Sequence, residues 1–401
     1  MADLHLLSPK GFRAGAVHAG IKSKQTPDVG LLVCDRVAAA AAVFTTNKVF
    51  AAPIKVGREN IAGGKLRAVV VNSGNANACT GKQGEKDAYA MCAQTGKAIG
   101  CDSTDVLPSS TGIIGHLLPM EKVKSGIAGA YAALGESEGH AHQFAAAILT
   151  TDLVRKAAAV RVKIGKEFVT IAGVCKGSGM IGPRMGPPHA TMLAYLTTDA
   201  RIPSRALQKV LNAASDASFN AVTVDDHTST NDTAAILASG YGASIDTPKK
   251  LAGFAAQLDE VCQSLAYQIA KDGEGATKVV KIVISGAASL ADARAIARAI
   301  ANSPLVKCAM HGNDPNWGRI VSAAGLCGAK FDPDRAVLTL QGTAVFRHGT
   351  PLRFDAEKVS AALKAPEVLV DLTCGLGKHA ATVWTCDLSK DYVTINADYH
   401  T

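Results

Sequence analysis

The stretch that most constrains this chain is Lys176-Gly-Ser-Gly-Met-Ile-Gly-Pro-Arg-Met-Gly-Pro-Pro-His-Ala-Thr191-Met-Leu. Gly177, Gly179 and Gly182 free the backbone for geometries that other residues resist. The glycine- and proline-rich part, 177–188, is the one break in composition along the chain and marks the boundary between two similar-sized halves. It ends on a small residue, Ala190, then Thr191, then an apolar segment reaching Leu196.

Strand and helix patterns alternate around that break. Leu31–Asp35, Ala68–Asn72, Val160–Val174 (a hairpin about Ile164-Gly-Lys-Glu), Val279–Ser285, Val337–Leu340 and Tyr392–Ile395 are rich in β-branched residues and are expected as strands. Asp87–Ile99, Met120–Leu134, Ser204–Ala217, Lys249–Lys271 and Leu290–Asn302 repeat apolar residues at helical spacing. Elements mixed in this order indicate a layered α/β architecture.

Charge and cysteine usage narrow the function classes. The net charge is +8, but 42 basic and 34 acidic residues are interspersed without a basic run of five, which argues against nucleic acid. A mild positive surplus suits a protein that collects anionic amino acids. The ten cysteines contain no C-x-x-C and most lie in apolar context, so reduced buried thiols in a cytoplasmic protein are expected. No apolar run approaches the length of a membrane span, and Met1-Ala-Asp-Leu-His lacks the start of a secretory signal. No G-x-G-x-x-G or P-loop spacing supports a dinucleotide or ATP, and Asp225-Asp226-His227 cannot all face one ion, so neither a cofactor nor a metal is expected.

Thr191 gains a chemistry of its own if the Ala190–Thr191 bond is cut. Its new α-amine would titrate near about 7.7–8.0 and could take the proton of its own hydroxyl, making an ordinary threonine a nucleophile. Acyl transfer also needs donors for a tetrahedral oxyanion, and Ser109-Ser-Thr111-Gly112 offers a hydroxyl and a closely approachable backbone N–H. Asn72, Asn75 and Asn77 around Gly74 are expected to support that loop structurally.

The run around Thr191 resembles the signature of the ornithine acetyltransferase family, the glutamate N-acetyltransferases of arginine biosynthesis. One departure is the insertion of Gly186-Pro187-Pro188-His189 between Met185 and Ala190, expected to bulge outward. The resemblance extends over nearly the whole chain. It runs through Gly11–Lys22, Phe44–Asn47 with Ala52-Pro53, Val71–Thr80, Ser110–Gly115, Thr228–Thr233, Asp272–Lys278, Asp314–Arg319 and Ile395–Thr401, in the family's order. Where the family usually has Gly-Asp, this chain has Asp226-His227.

The resemblance implies an α/β sandwich of the ornithine acetyltransferase and self-processing β-aminopeptidase type. It also implies cleavage at Ala190–Thr191 into an α chain, 1–190, and a β chain, 191–401, paired as an α2β2 heterotetramer. Thr191 becomes the nucleophile, Thr111 and Gly112 the oxyanion hole, and Thr150, Lys176, Thr191, Glu274, Asn396 and Thr401 the substrate contacts. The implied reaction moves acetyl from N2-acetyl-L-ornithine to L-glutamate by a ping-pong route, with acetyl-CoA open as a second donor. A hydrolase or aminopeptidase of the same fold and an unprocessed binding protein are the alternatives.

Overall fold

A computed structural model describes residues 4–182, 185 and 192–398. The described chain divides into two compact units, one from residues up to 220 with 227–269, the other from 221–226 with the residues after 269. The expected cut at Ala190–Thr191 is a covalent division and does not coincide with this one.

The first unit contains β1 (Phe12–Val17), β2 (Val29–Phe44), β3 (Lys65–Asn75), β4 (Val106–Ile113), β5 (Lys156–Ile164), β6 (Glu167–Lys176), β7 (Leu193–Thr198) and β8 (Thr233–Ala238). Its helices are α1 (Ala52–Ile61), α2 (Gly81–Ile99), α3 (Met120–Ala132), α4 (Glu138–Ala147), α5 (Ser204–Ala217) and α6 (Pro248–Lys271), the last two residues of α6 belonging to the second unit. The strands join in the order β4-β3-β2-β8-β7-β6-β5, with β1 on β2.

β2 organises this sheet. Its first half pairs with β1 and β3, while Ala39–Phe44 pairs with β8. The exposed Asp35-Arg36-Val37 and a register shift between Val33 and Ala38 mark where the strand changes course. Side-chain alternation then builds layers. Leu32, Val69 and Val71 share one apolar cluster with Leu193, Tyr195 and Ala235 from the β7–β8 side, and Phe144 of α4 packs edge-on against Tyr195 within it, ring centroids 5.7 Å apart. The intervening residues Leu31, Val33, Ala68 and Val70 point the other way, onto Met91 of α2 and Val123 and Ile127 of α3. The result is the layered α/β sandwich that the sequence indicated.

The second unit holds β9 (Val279–Ala287), β10 (Val337–Leu340), β11 (Thr343–Arg347), β12 (Thr350–Pro351), β13 (Glu367–Thr373) and β14 (His379–Cys386), in the order β12-β11-β10-β13-β9-β14. Its remaining helices are α7 (Leu290–Asn302), α8 (Pro304–His311), α9 (Trp317–Gly325), α10 (Ala356–Ala362) and α11 (Lys390–Asp398). Val280, Ile282 and Ile284 of β9 pack on Ala293, Ile296 and Ile300 of α7 in one apolar core. Ser289 caps α7 by accepting from the Asp292 N–H at 3.0 Å. Trp317 stacks on Phe346, centroids 5.4 Å apart.

The hairpin at Ile164 forms as expected, with Ile164 opposite Glu167. Tyr392–Ile395 does not form a strand: it lies inside α11. Ser389 accepts from the Asp391 N–H at 3.2 Å, and the Asn396 side chain donates to the Tyr392 carbonyl one turn earlier at 2.9 Å. These local bonds start and brace a helix that β-branched composition alone did not suggest. All ten cysteines are free, six of them buried, with Cys79 and Cys308 exposed. Among the described residues no helix is long and apolar enough to cross a membrane.

Candidate active site

Ala190, Thr191, the inserted Gly186–His189 and Thr401 lie outside the described residues. The chain immediately after Thr191 is firmly placed. Met192 is buried, its carbonyl accepts from the Thr233 N–H at 2.9 Å, and Leu193 pairs in parallel with Thr233. The start of β7 is therefore fixed beside the start of β8.

Thr111 and Gly112 sit near the end of β4, in parallel register with Ser73 and Gly74 of β3. The ladder then slips, and Asn75 faces both Thr111 and Ile113. Gly112 has φ +132°, and a Cβ there would lie 2.4 Å from the Gly74 carbonyl carbon and 2.6 Å from the Asn75 nitrogen. Only glycine fits this bulge, which re-aims the backbone beside Thr111. The Thr111 hydroxyl has no hydrogen-bond partner among the described residues.

The asparagines hold this corner together. Ser110 Oγ donates to Asn72 Oδ1 at 2.6 Å, and Asn72 Nδ2 donates to the Asn75 carbonyl at 2.9 Å. Asn75 Nδ2 reaches the His116 and Leu117 carbonyls, and its Oδ1 accepts from the Asn77 N–H. Asn231, preceding β8, donates from one Nδ2 to the Ala76 carbonyl at 2.6 Å and the Ser110 carbonyl at 2.8 Å. It thereby ties the β3–β4 corner to the entrance of β8.

Thr150 and Lys176 are brought together by a carboxylate that sequence reasoning did not single out. Asp152 is fully buried. One of its oxygens accepts from Lys156 Nζ at 2.7 Å and from the Gly177 N–H at 2.6 Å. The other accepts from the Thr150 N–H at 3.1 Å and lies 4.0 Å from Lys176 Nζ. Burial alone would raise the Asp152 pKa, but Lys176 and Lys156 outweigh it and hold the carboxyl down at about 2. Its neighbours in Thr150-Thr151-Asp152 were the only sequence signal.

Asp232 is the opposite case. It is buried at the mouth of β8, and neither carboxylate oxygen has a hydrogen-bond partner among the described residues. Burial pushes its pKa well above the ordinary value, more than Lys176 and the nearby Thr45 hydroxyl pull it down. The group is thereby disposed to carry a proton, one residue from the position that pairs with β7.

Glu274 and Asn396 meet within the second unit. Asn396 Nδ2 donates to Glu274 Oε2 at 2.9 Å, orienting a buried carboxylate. Gly275 (φ +69°) lets this loop press against α11, since a Cβ would lie 2.4 Å from the Tyr392 nitrogen. The same loop is clamped by Asp387, which accepts from the Thr277 N–H and hydroxyl at 2.8 and 2.6 Å and from the Lys278 N–H at 3.0 Å.

An α/β sandwich carrying a glycine-only bulge beside a free threonine hydroxyl, with buried lysines around one carboxylate, has the parts of an acyl-transfer enzyme that handles anions. The sequence pattern of the ArgJ family matches residues 13–401. The arginine biosynthesis bifunctional protein ArgJ of Dehalococcoides mccartyi is 46% identical over 407 residues, covering 100% of this chain and 98% of its own. The protein of that name from Rhodopirellula baltica is also 46% identical, covering 99% and 97%. Among solved structures, ArgJ from Bacillus halodurans shares 45% identity with a TM-score of 0.44, covering 46% of this chain and 95% of that one. Ornithine acetyltransferase from Mycobacterium tuberculosis, solved with ornithine, shares 34% with a TM-score of 0.42, covering 46% and 98%. The chain belongs to the ArgJ family, which bears out the resemblance carried by its motifs.

Proposed function

We propose that this arginine-biosynthesis acetyltransferase carries the acetyl group of N2-acetyl-L-ornithine to L-glutamate through an acetyl ester on Thr191, after cleavage at Ala190–Thr191. The observation that carries this reading is family membership over residues 13–401. Thr191 Oγ attacks the acetyl carbonyl carbon while its hydroxyl proton passes to its own α-amine. The Thr111 hydroxyl and Gly112 N–H steady the oxyanion; the C–N bond then breaks and ornithine leaves with that proton on its amine. The amine of glutamate then attacks the ester carbon and gives a proton to the Thr191 α-amine; the acetyl C–Oγ bond breaks, Oγ takes that proton back, and N-acetyl-L-glutamate leaves. One amide replaces another, so no ATP is needed.

Lys176 is assigned to the substrate α-carboxylate, positioned by Asp152 together with Thr150. Glu274 is assigned to the ornithine ammonium, with Asn396 orienting it and Thr401 completing the contacts. The processed chains are 1–190 and 191–401, assembled as α2β2 in the cytoplasm. Acetylornithine is the preferred donor and acetyl-CoA a weak one, because no phosphate-cradling loop or arginine cluster marks a coenzyme site.

Denaturing mass spectrometry coupled to a transfer assay tests this. Two masses matching 1–190 and 191–401 are expected, and Thr191→Ala is expected to leave one intact chain with turnover reduced about 10⁴-fold or more. A fully active preparation of uncut 401-residue protein would refute the mechanism. Release of free acetate at the rate of ornithine formation, with glutamate present, would favour a hydrolase instead.

A further inference from the structure

Lys22 closes the opening motif of the chain, and nothing said so far gives its side chain a role. Its backbone is fixed by Asp28, which accepts from the N–H groups of Ala19, Ile21 and Lys22 at 2.6, 2.7 and 3.1 Å. From there the aliphatic stem crosses Gly74: a Cβ on that glycine would lie 2.8 Å from Lys22 Cγ. Gly74 is the residue paired with Gly112. The ammonium continues to the carbonyl of Leu149, 3.2 Å away, immediately before Thr150. Lys22 thus threads between the Gly112 bulge and the Thr150–Asp152 segment.

Among the described residues the charges around it do not balance. Asp28 is committed to three backbone amides and lies 3.2 Å from His18 Nδ1. Asp152 is committed to Lys156, 2.7 Å away, and to two further amides. Among the described residues Lys22 Nζ forms no ion pair and has the Leu149 carbonyl as its one hydrogen-bond partner, although an ammonium carries three donors. Burial lowers its pKa from the ordinary lysine value; Asp28 and Asp152 pull it up, and the charges of Lys24 and Lys176 add to the lowering. With the Lys176 ammonium near enough to disfavour the charge of Lys22, and the local carboxylates already engaged, this is a place where an arriving anion is stabilised.

We propose that Lys22 is a specificity-determining residue that binds the side-chain carboxylate of the acetyl acceptor, completing with Lys176 a two-cation seat for a dicarboxylic amino acid. The proposal rests on the acetyl-transfer reading above, in which Lys176 takes the α-carboxylate. Glutamate brings two carboxylates to two ammoniums. Acetylornithine brings one carboxylate and a side-chain ammonium, which is assigned to Glu274 and not to Lys22. Lys22 therefore sorts acceptor from donor by the sign of the side-chain charge.

The test compares wild type, Lys22→Met, which keeps the stem over Gly74, and Lys22→Arg, which keeps the charge. Calorimetric titration with L-glutamate and L-glutamine reads the preference without turnover, and circular dichroism confirms that each variant is folded. Wild type is expected to prefer glutamate, and Lys22→Met to lose about 10- to 100-fold of that preference, the value of a hydrogen-bonded charge. Its affinity for glutamine and its KM for acetylornithine should be unchanged, and Lys22→Arg should recover most of the preference. A Lys22→Met protein that still prefers glutamate, or that weakens both amino acids equally, overturns the proposal, as does a wild type that binds the two alike. Acetyl transfer by wild type is assayed separately, so failure of the reaction and failure of this assignment give different results.

Discussion

Asp152 in the first unit and Asp387 in the second are buried carboxylates held below the ordinary range against the penalty of burial. They get there by different means. Asp387 is satisfied by the Thr277 hydroxyl, two backbone amides and His311 Nδ1 at 2.7 Å. That arrangement is locally closed, and it clamps the loop that carries Glu274. Asp152 instead faces two buried lysines, with Lys22 close enough to share its field. Among the described residues positive charge exceeds negative there. A balanced buried charge is a structural fastening, whereas an unbalanced one needs a ligand to complete it.

The largest expected effect follows from that contrast. Asp152→Asn removes the negative charge beside two buried lysines, Lys156 at 2.7 Å and Lys176 at 4.0 Å, and should cost about 3–5 kcal/mol. Asp387→Asn removes hydrogen bonds from a site whose partner His311 is 40% exposed and can turn to water, so about 1–3 kcal/mol is expected. Urea denaturation of both variants measures the gap. Equal losses would break the distinction between the two carboxylates.

A second test uses pH, with the sign set by direction of shift. The folded pKa of Asp152 is depressed to about 2, so its contribution is present above the unfolded value and is lost as pH falls toward 2. Asp232 is shifted upward, so its favourable, protonated state is lost as pH rises above the unfolded value near about 3.9 toward the folded one. Asp232→Asn, which cannot ionise, should therefore gain on wild type as pH rises from below about 4 to neutrality. Thermal melts across that range read the difference, and a gap that stays constant would mean that the Asp232 carboxyl is not shifted upward.

Much of this architecture is legible in the sequence because local pattern and tertiary role agree. Val69 and Val71 face one apolar layer and Ala68 and Val70 the other, as strand alternation requires. Ser204–Ala217 and Leu290–Asn302 form helices at the bounds their spacing gave. Tyr392–Ile395 failed because composition favoured a strand while Ser389 and Asn396 supplied helical bonds that no residue count records. Among the proposed site residues, Thr111, Gly112, Thr150, Lys176, Glu274 and Asn396 were reached through motif register. Asp152, Lys156, Asp232 and Lys22 were not, because their importance lies in burial and charge balance. Lys156 and Asp152 are four residues apart in an ordinary-looking stretch, and only the fold removes both from water.

The smallest expected effect concerns Asn396, and it probes the balanced side of the comparison. Asn396 lies on the exposed surface of α11, a helix with no buried residues, so its removal takes little from the core. Asn396→Ala is expected to change stability by no more than about 0.5 kcal/mol. What it does remove is the 2.9 Å bond that fixes the Glu274 carboxylate. If Glu274 meets the ornithine ammonium, a less ordered carboxylate should raise the KM for acetylornithine about 3- to 10-fold, the value of one modest hydrogen bond. The KM for glutamate should stay unchanged, because its side chain carries the opposite charge. That pattern mirrors the one expected for Lys22→Met, with donor and acceptor exchanged. A clear drop in melting temperature with both KM values unaltered would instead make the Asn396–Glu274 bond a fastening of the same kind as Asp387, and would remove Glu274 from the donor site.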